Sequence, residues 1–186
     1  TSTGSVTYDY LVIATGCVPN FFGMDHIEQR SWPMSDIGDA LRIRNSVLRN
    51  LEKAVIATSE EERNALLNIV IVGGGASGVE IAGALAEMRS YIVPRDYPGV
   101  NISSMHIYLV EGRDKLLATM SPETSSDCLK VLEKKGVNVM LNTAVKDYQD
   151  NRVIFGDGTS ILSGNLIWTS GVKSEAVEGI GNSEKE

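Results

Sequence analysis

Gly73-Gly74-Gly75-Ala76-Ser77-Gly78 and the acid Glu111 are the residues whose types and spacing could do chemistry. A G-x-G-x-x-G turn between a strand and a helix can seat a pyrophosphate. Its first glycine permits the tight turn, its second lets backbone approach the phosphates, and its third lets the helix lie close to the strand. These are Gly73, Gly75 and Gly78. Backbone N–H groups near Ala76 and Ser77, with the positive end of the helix dipole, would face the phosphates. The surroundings fit, because the apolar run Ile69-Val70-Ile71-Val72 precedes the turn and an amphipathic segment, Val79 to Met88, follows it. A glycine-rich loop without chemistry is the competing reading of the pattern alone.

Glu111 closes the run Leu109-Val110-Glu111. An acid at the end of the second strand can accept hydrogen bonds from the adenosine ribose hydroxyls, and it would repel the extra phosphate of NADPH. Glu111 lies 33 residues beyond Gly78, against about 20 in the usual pattern. An insertion from Arg89 to Met105, broken by Pro94, Pro98 and Gly99, accounts for the excess. Arg113 pulls the other way, since a nearby arginine can accommodate a 2′-phosphate. NADH is the expected partner, with NADPH disfavoured. Gly171 ends the fourth strand, where it either allows a ring to approach or only makes the turn.

The elements that must position these residues read as an α/β fold: a Rossmann-like parallel sheet with helices and a β-meander crossover. Val6 to Ala14 is expected as a buried parallel strand, with Leu11-Val12-Ile13 as its apolar run and Cys17 packed beside the turn after it. Phe21 to Pro33 reads as a linker. Asp36 to Ile56 reads as a helix with Leu41, Leu48, Leu51 and Val55 on one stripe and Ile37 and Val47 near its edges, and Thr58 to Arg63 as a polar connection. His106 to Glu111 is the second strand. Ser121-Pro122-Glu123 is a helix start, Cys128, Val131 and Leu132 its apolar face, and Lys134-Lys135-Gly136 its stop. Val137 to Leu141 is the third strand. Val145–Tyr148, Arg152–Phe155 and Ser160–Leu162 form the meander, with turns at Asp150-Asn151 and Gly156-Asp157-Gly158. Asn165 to Trp168 returns to the main sheet.

Composition bounds the partners. The chain has 186 residues, 42% of them hydrophobic, enough for a buried core. A net charge of -7 disfavours nucleic acid as a partner. No apolar run approaches the roughly 18–20 residues that span a bilayer. Cys17 and Cys128 belong to no C-x-x-C pair, and His26 and His106 are isolated, so no metal site is expected. The start, Thr1-Ser2-Thr3-Gly4-Ser5, suggests a piece excised from a longer protein.

Ile69-Val70-Ile71-Val72-Gly73 through Val79-Glu80-Ile81-Ala82-Gly83 resembles the NADH-binding segment of flavoproteins with two dinucleotide-binding domains. Tyr8-Asp9-Tyr10-Leu11-Val12-Ile13-Ala14-Thr15-Gly16 is similar to the strand by which their FAD domain hands over to the NADH domain. Further stretches resemble type II NADH:quinone oxidoreductases: Asp39 to Ala54, Pro94-Arg95-Asp96-Tyr97-Pro98, Val110 to Leu117, and Leu166 to Val172.

That resemblance implies an FAD-containing respiratory enzyme at the cytoplasmic face of the membrane, passing electrons from NADH to a quinone. It divides the chain into an FAD-domain remnant (1–20), a linker and helix (21–66), the NADH domain (67–172) and a return to the FAD domain (173–186). It brings Glu80 near the nicotinamide end, the alternative being a helix-terminus acid. It names no catalytic side chain, since hydride passes between cofactors. Catalysis by this chain alone is not expected, and FAD and the membrane contacts would lie mostly in other parts of the protein. A homodimer stays open. Two rivals remain. One is another flavin reductase, with ferredoxin, a disulfide or oxygen as acceptor; the other is a non-catalytic NAD(H)-binding module.

Overall fold

The computed structural model describes Gly4 and residues 7–175. Five strands form a parallel sheet in the order β2-β9-β3-β4-β5. They are β2 (Trp32–Pro33), β3 (Ile69–Val72), β4 (Ile107–Val110), β5 (Val137–Met140) and β9 (Asn165–Trp168). Every residue of β3 and β9 is buried, as expected of central strands covered on both faces.

Alternation along the strands builds two cores. Ile69, Ile71, Ile107, Leu109 and Ile167 face one side, where three helices cover them. These are α2 (Ile37–Ile56), α4 (Ala76–Glu87) and α6 (Pro122–Lys134). Val70, Val72, Val110, Leu166 and Trp168 face the other side. There the cover is α1 (Asp25–Arg30) with the antiparallel meander β6 (Val145–Gln149), β7 (Arg152–Phe155) and β8 (Ser160–Leu162). Tyr148, Val153 and Phe155 supply the apolar contacts from the meander. Asp150 and Asn151, both at positive φ, make the β6–β7 turn.

Polar groups fasten the far end of the sheet. The Asn165 side chain accepts a hydrogen bond from Asn50 Nδ2 at 2.7 Å and donates to the carbonyls of Leu66 and Asn68. The buried Tyr148 hydroxyl donates to the Ser163 carbonyl at 2.9 Å. Burial pushes the pKa of Tyr148 up to about 12.

The meander and its turns, the Ser121 cap and the Gly136 stop stand where their residues place them. Several expectations do not hold. The segment 7–16 is not a strand; Leu11, Val12 and Ile13 are 56%, 86% and 48% exposed. A two-faced buried strand needs neighbours on both sides, and the first strand among the described residues is instead β1 (Cys17–Pro19), paired antiparallel with β10 (Val172–Ser174). Cys17 is exposed rather than packed. Phe21 to Pro33 carries α1 and β2, and β2 pairs with β9.

The buried stripe of α2 is Asp39, Ile43, Val47, Leu51 and Ala54, whereas Leu41 and Val55 are exposed. Both stripes fit a helical period, and the contact with the sheet selects between them. In α6, Leu132 is buried but Val131 is exposed. Thr58 to Arg63 is no loop, because Ser59 caps α3 (Glu60–Leu67) by accepting from the Glu62 N–H. Ser59-x-x-Glu62 is a capping-box spacing hidden under a run of acids. Finally, the helix of α4 does not stop at Arg89. It widens into a π-turn at Met88–Ile92 and continues as α5 (Val93–Asp96). A wider turn is one way to absorb Pro94, which lacks an N–H.

Candidate dinucleotide-binding site

From β3 the chain runs outward through β4 to β5, and after the meander it returns to β9 on the other side of β3, so β3 is the topological switch point. Open α/β sheets take their ligands in the crevice at such a point, outside the carboxyl ends of the strands. A cleft of about 550 Å3 opens there. Its lining includes Gly73–Ala76 after β3, Glu111–Arg113 after β4, Trp168 at the end of β9 and Thr169–Gly171 after it.

The three glycines of the motif do different work. Gly73 has φ +113, and a Cβ on it would stand 2.8 Å from Thr169 Oγ1. A Cβ on Gly78 would overlap the Gly73 carbonyl oxygen. These two positions are closed by the protein itself. A Cβ on Gly75 would meet no atom within 4 Å. The space beside Gly75 is open, as a ligand subsite must be. Gly75 is also the N-cap of α4 and offers no side-chain acceptor. The first-turn N–H groups of α4, including those of Ala76 and Ser77, therefore keep the unmet donor capacity of a bare helix start. That is the chemistry of an anion seat.

Glu111 does more than mark a strand end. Its Oε2 accepts the Gly74 N–H at 2.6 Å and its Oε1 accepts the Arg113 N–H at 2.9 Å. Each oxygen retains lone-pair capacity, which is what ribose hydroxyls would use. The carboxylate thus ties the glycine turn to the end of β4. Gly74 is a free position in the G-x-G-x-x-G pattern, yet a Cβ there would meet Leu116 Cδ2 at 2.7 Å and Glu111 Oε2 at 2.9 Å. Thr169 was missed. Its hydroxyl is 2.8 Å from the Val72 carbonyl and 3.1 Å from that of Gly73, so it holds β9 to the turn. Its position immediately after a strand end was the available signal.

The structure brings Gly73, Gly75, Ala76, Glu111 and Gly171 to one cleft. Gly78 lies beneath it, buried in α4. Ser77 stands in the exposed first turn of that helix. Glu80 is exposed and lines a different depression, between α4 and α6 with Gly83, Cys128 and Val131. Gly171 has φ +74, and the Phe22 ring approaches its Cα side. Arg113 is exposed at the rim. No cluster of histidine, cysteine or acid side chains fit for a metal ion occurs among the described residues.

Residues 1–181 match the pyridine nucleotide-disulphide oxidoreductase family. The chain belongs to that family. Among its curated relatives is an external alternative NAD(P)H-ubiquinone oxidoreductase B2 of Arabidopsis thaliana mitochondria. It is 32% identical, over 93% of this chain and 30% of its own length. The type II NADH:quinone oxidoreductase of Mycobacterium tuberculosis is 30% identical, over 92% of this chain and 38% of its own length. Among solved structures, NDH2 of Plasmodium falciparum in complex with NADH is similar with a TM-score of 0.84 and 28% identity. That match covers 91% of this chain and 36% of the other. The chain therefore spans between 30% and 38% of the length of these relatives. The family's α/β fold and the resemblance to type II NADH:quinone oxidoreductases both hold.

Proposed function

We infer that this chain is the NADH-binding portion of a flavin-dependent NADH dehydrogenase that delivers electrons to a quinone. The observation that carries the reading is the cleft at the switch point, with an open subsite at Gly75 and a strand-end carboxylate at Glu111. The likeness to a structure holding NADH supports it, as do relatives named quinone oxidoreductases.

In this reading NADH supplies a hydride to FAD when both are bound. The residues of this chain bind and orient. Gly73, Gly75 and Gly78 shape the pyrophosphate seat, with the N–H groups near Ala76 and Ser77 as donors. Glu111 holds the adenosine ribose and selects against NADPH. Gly171 stands at the nicotinamide end. Glu80 contributes through the field of the helix start; its place beside α6 favours that role over contact with the nicotinamide.

The same proposal assigns residues 67–172 to the NADH domain, 21–66 to a linker and helix, and 1–20 and 173–186 to a flavin domain. Quinone access, attachment at the cytoplasmic membrane surface and any dimer contact then lie with the rest of the protein. No helix of the described residues is long and apolar enough to cross a membrane. The test is NADH oxidation by the whole protein with FAD and a soluble quinone. FAD-dependent quinone reduction supports the reading. Oxidation that proceeds only with a ferredoxin, a disulfide or oxygen would replace it with another reductase.

A further inference from the structure

We propose that Phe22 is the nicotinamide-positioning residue of the cleft, presenting its ring as a stacking face for the reactive end of the dinucleotide. The proposal rests on the NADH reading above and deepens it.

Phe22 is 62% exposed, yet it lines the cleft beside Met24 and Gly171. It stands on the β9 side of the switch point, opposite Glu111 on the β4 side. A dinucleotide whose ribose sits at Glu111 and whose pyrophosphate sits at Gly75 must send its other half toward β9. That half carries the nicotinamide.

The backbone of Phe22 is held in an unusual conformation. Its φ is +52, a left-handed value uncommon for an aromatic residue. Such a conformation persists only where its surroundings enforce it. Here they do. Asn20 Oδ1 accepts the Phe22 N–H at 2.9 Å, and the Asn20 N–H donates to the Gly171 carbonyl at 3.2 Å. The Trp168 indole donates to the Asn20 carbonyl at 3.0 Å, and Phe21 stacks on Trp168 with centroids 5.5 Å apart. Phe21 turns into the core while the next residue, Phe22, is turned out over the cleft mouth. A Cβ on Gly171 would stand 2.6 Å from Phe22 Cζ. Gly171 thus leaves room for the ring, which accounts for a glycine at that position beyond the turn.

Titration calorimetry with NADH and ADP-ribose tests the proposal, because ADP-ribose keeps the adenosine and both phosphates but lacks the nicotinamide. Phe22→Ala should weaken NADH about five- to tenfold, the size of a lost aromatic stack, and leave ADP-ribose within about twofold. Phe22→Tyr should retain wild-type affinity for both. Equal losses for the two ligands, or no loss for either, would overturn the role of Phe22. So would a wild-type chain that binds NADH no better than ADP-ribose. A wild-type chain that binds neither ligand would instead remove the dinucleotide reading on which the proposal rests.

Discussion

The Glu111 carboxylate accepts the Gly74 amide hydrogen at 2.6 Å, joining the residue read as the ribose ligand to the turn read as the phosphate seat. The two halves of the nucleotide signal are therefore one mechanical unit. Glu111→Ala should weaken NADH by roughly tenfold or more, the scale of hydrogen bonds to a charged group. It should also narrow the gap to NADPH, because the repelling charge is gone. Competition binding with the two cofactors reads both effects. An NADH affinity that is unchanged would remove Glu111 from the site.

Gly75 and Gly78 should respond differently to the same methyl group. Gly75→Ala meets open space, so stability should fall by no more than about 1 kcal/mol, the cost of an alanine at an N-cap, while NADH affinity falls at least tenfold, since a Cβ intrudes where backbone must approach phosphate. Gly78→Ala drives its Cβ into the Gly73 carbonyl. It should lower stability by several kcal/mol, on the scale of overpacking in a tight core. Melting curves and cofactor titrations on the pair separate the two roles.

How legible the site was follows from the same residues. The glycine spacing and the strand-end acid were readable because backbone requirements leave few residue choices at those positions. The clamp from Glu111 to Gly74 was not, since nothing in the order of residues says where a carboxylate will point. The meander was legible from alternation and from Asp150-Asn151. The α2 stripe was legible in part: Leu51 and the edge residue Val47 are buried as read, but a second apolar stripe shares the helix, and only the sheet brings in Ile43 and leaves Leu41 and Val55 exposed. Leu11-Val12-Ile13 reads as a buried strand by composition, yet pairing partners, not composition, make a strand.

Ser59 caps α3 through the Glu62 N–H. Ser59→Ala should cost about 1 kcal/mol, measured as a lower denaturant midpoint with an unchanged slope. Replacing Ser59 with Asp should restore most of the loss.

Tyr148 sets an alkaline limit. Its pKa is raised to about 12 in the folded chain, against about 10 unfolded. The proton is held more tightly by the folded state, so the contribution is complete below about pH 10 and is lost as pH rises toward 12. Denaturation series from pH 9 to 12, taken as the difference between wild type and Tyr148→Phe, should show that decline only in the wild type. Parallel declines would assign the alkaline loss to other groups.

The most direct test of the account is equilibrium titration of the wild-type chain with NADH and, separately, NADPH. Saturable one-to-one binding of NADH, with NADPH at least tenfold weaker, is the predicted result. No NADH binding, or equal affinities for the two, would contradict the site built on Gly75 and Glu111.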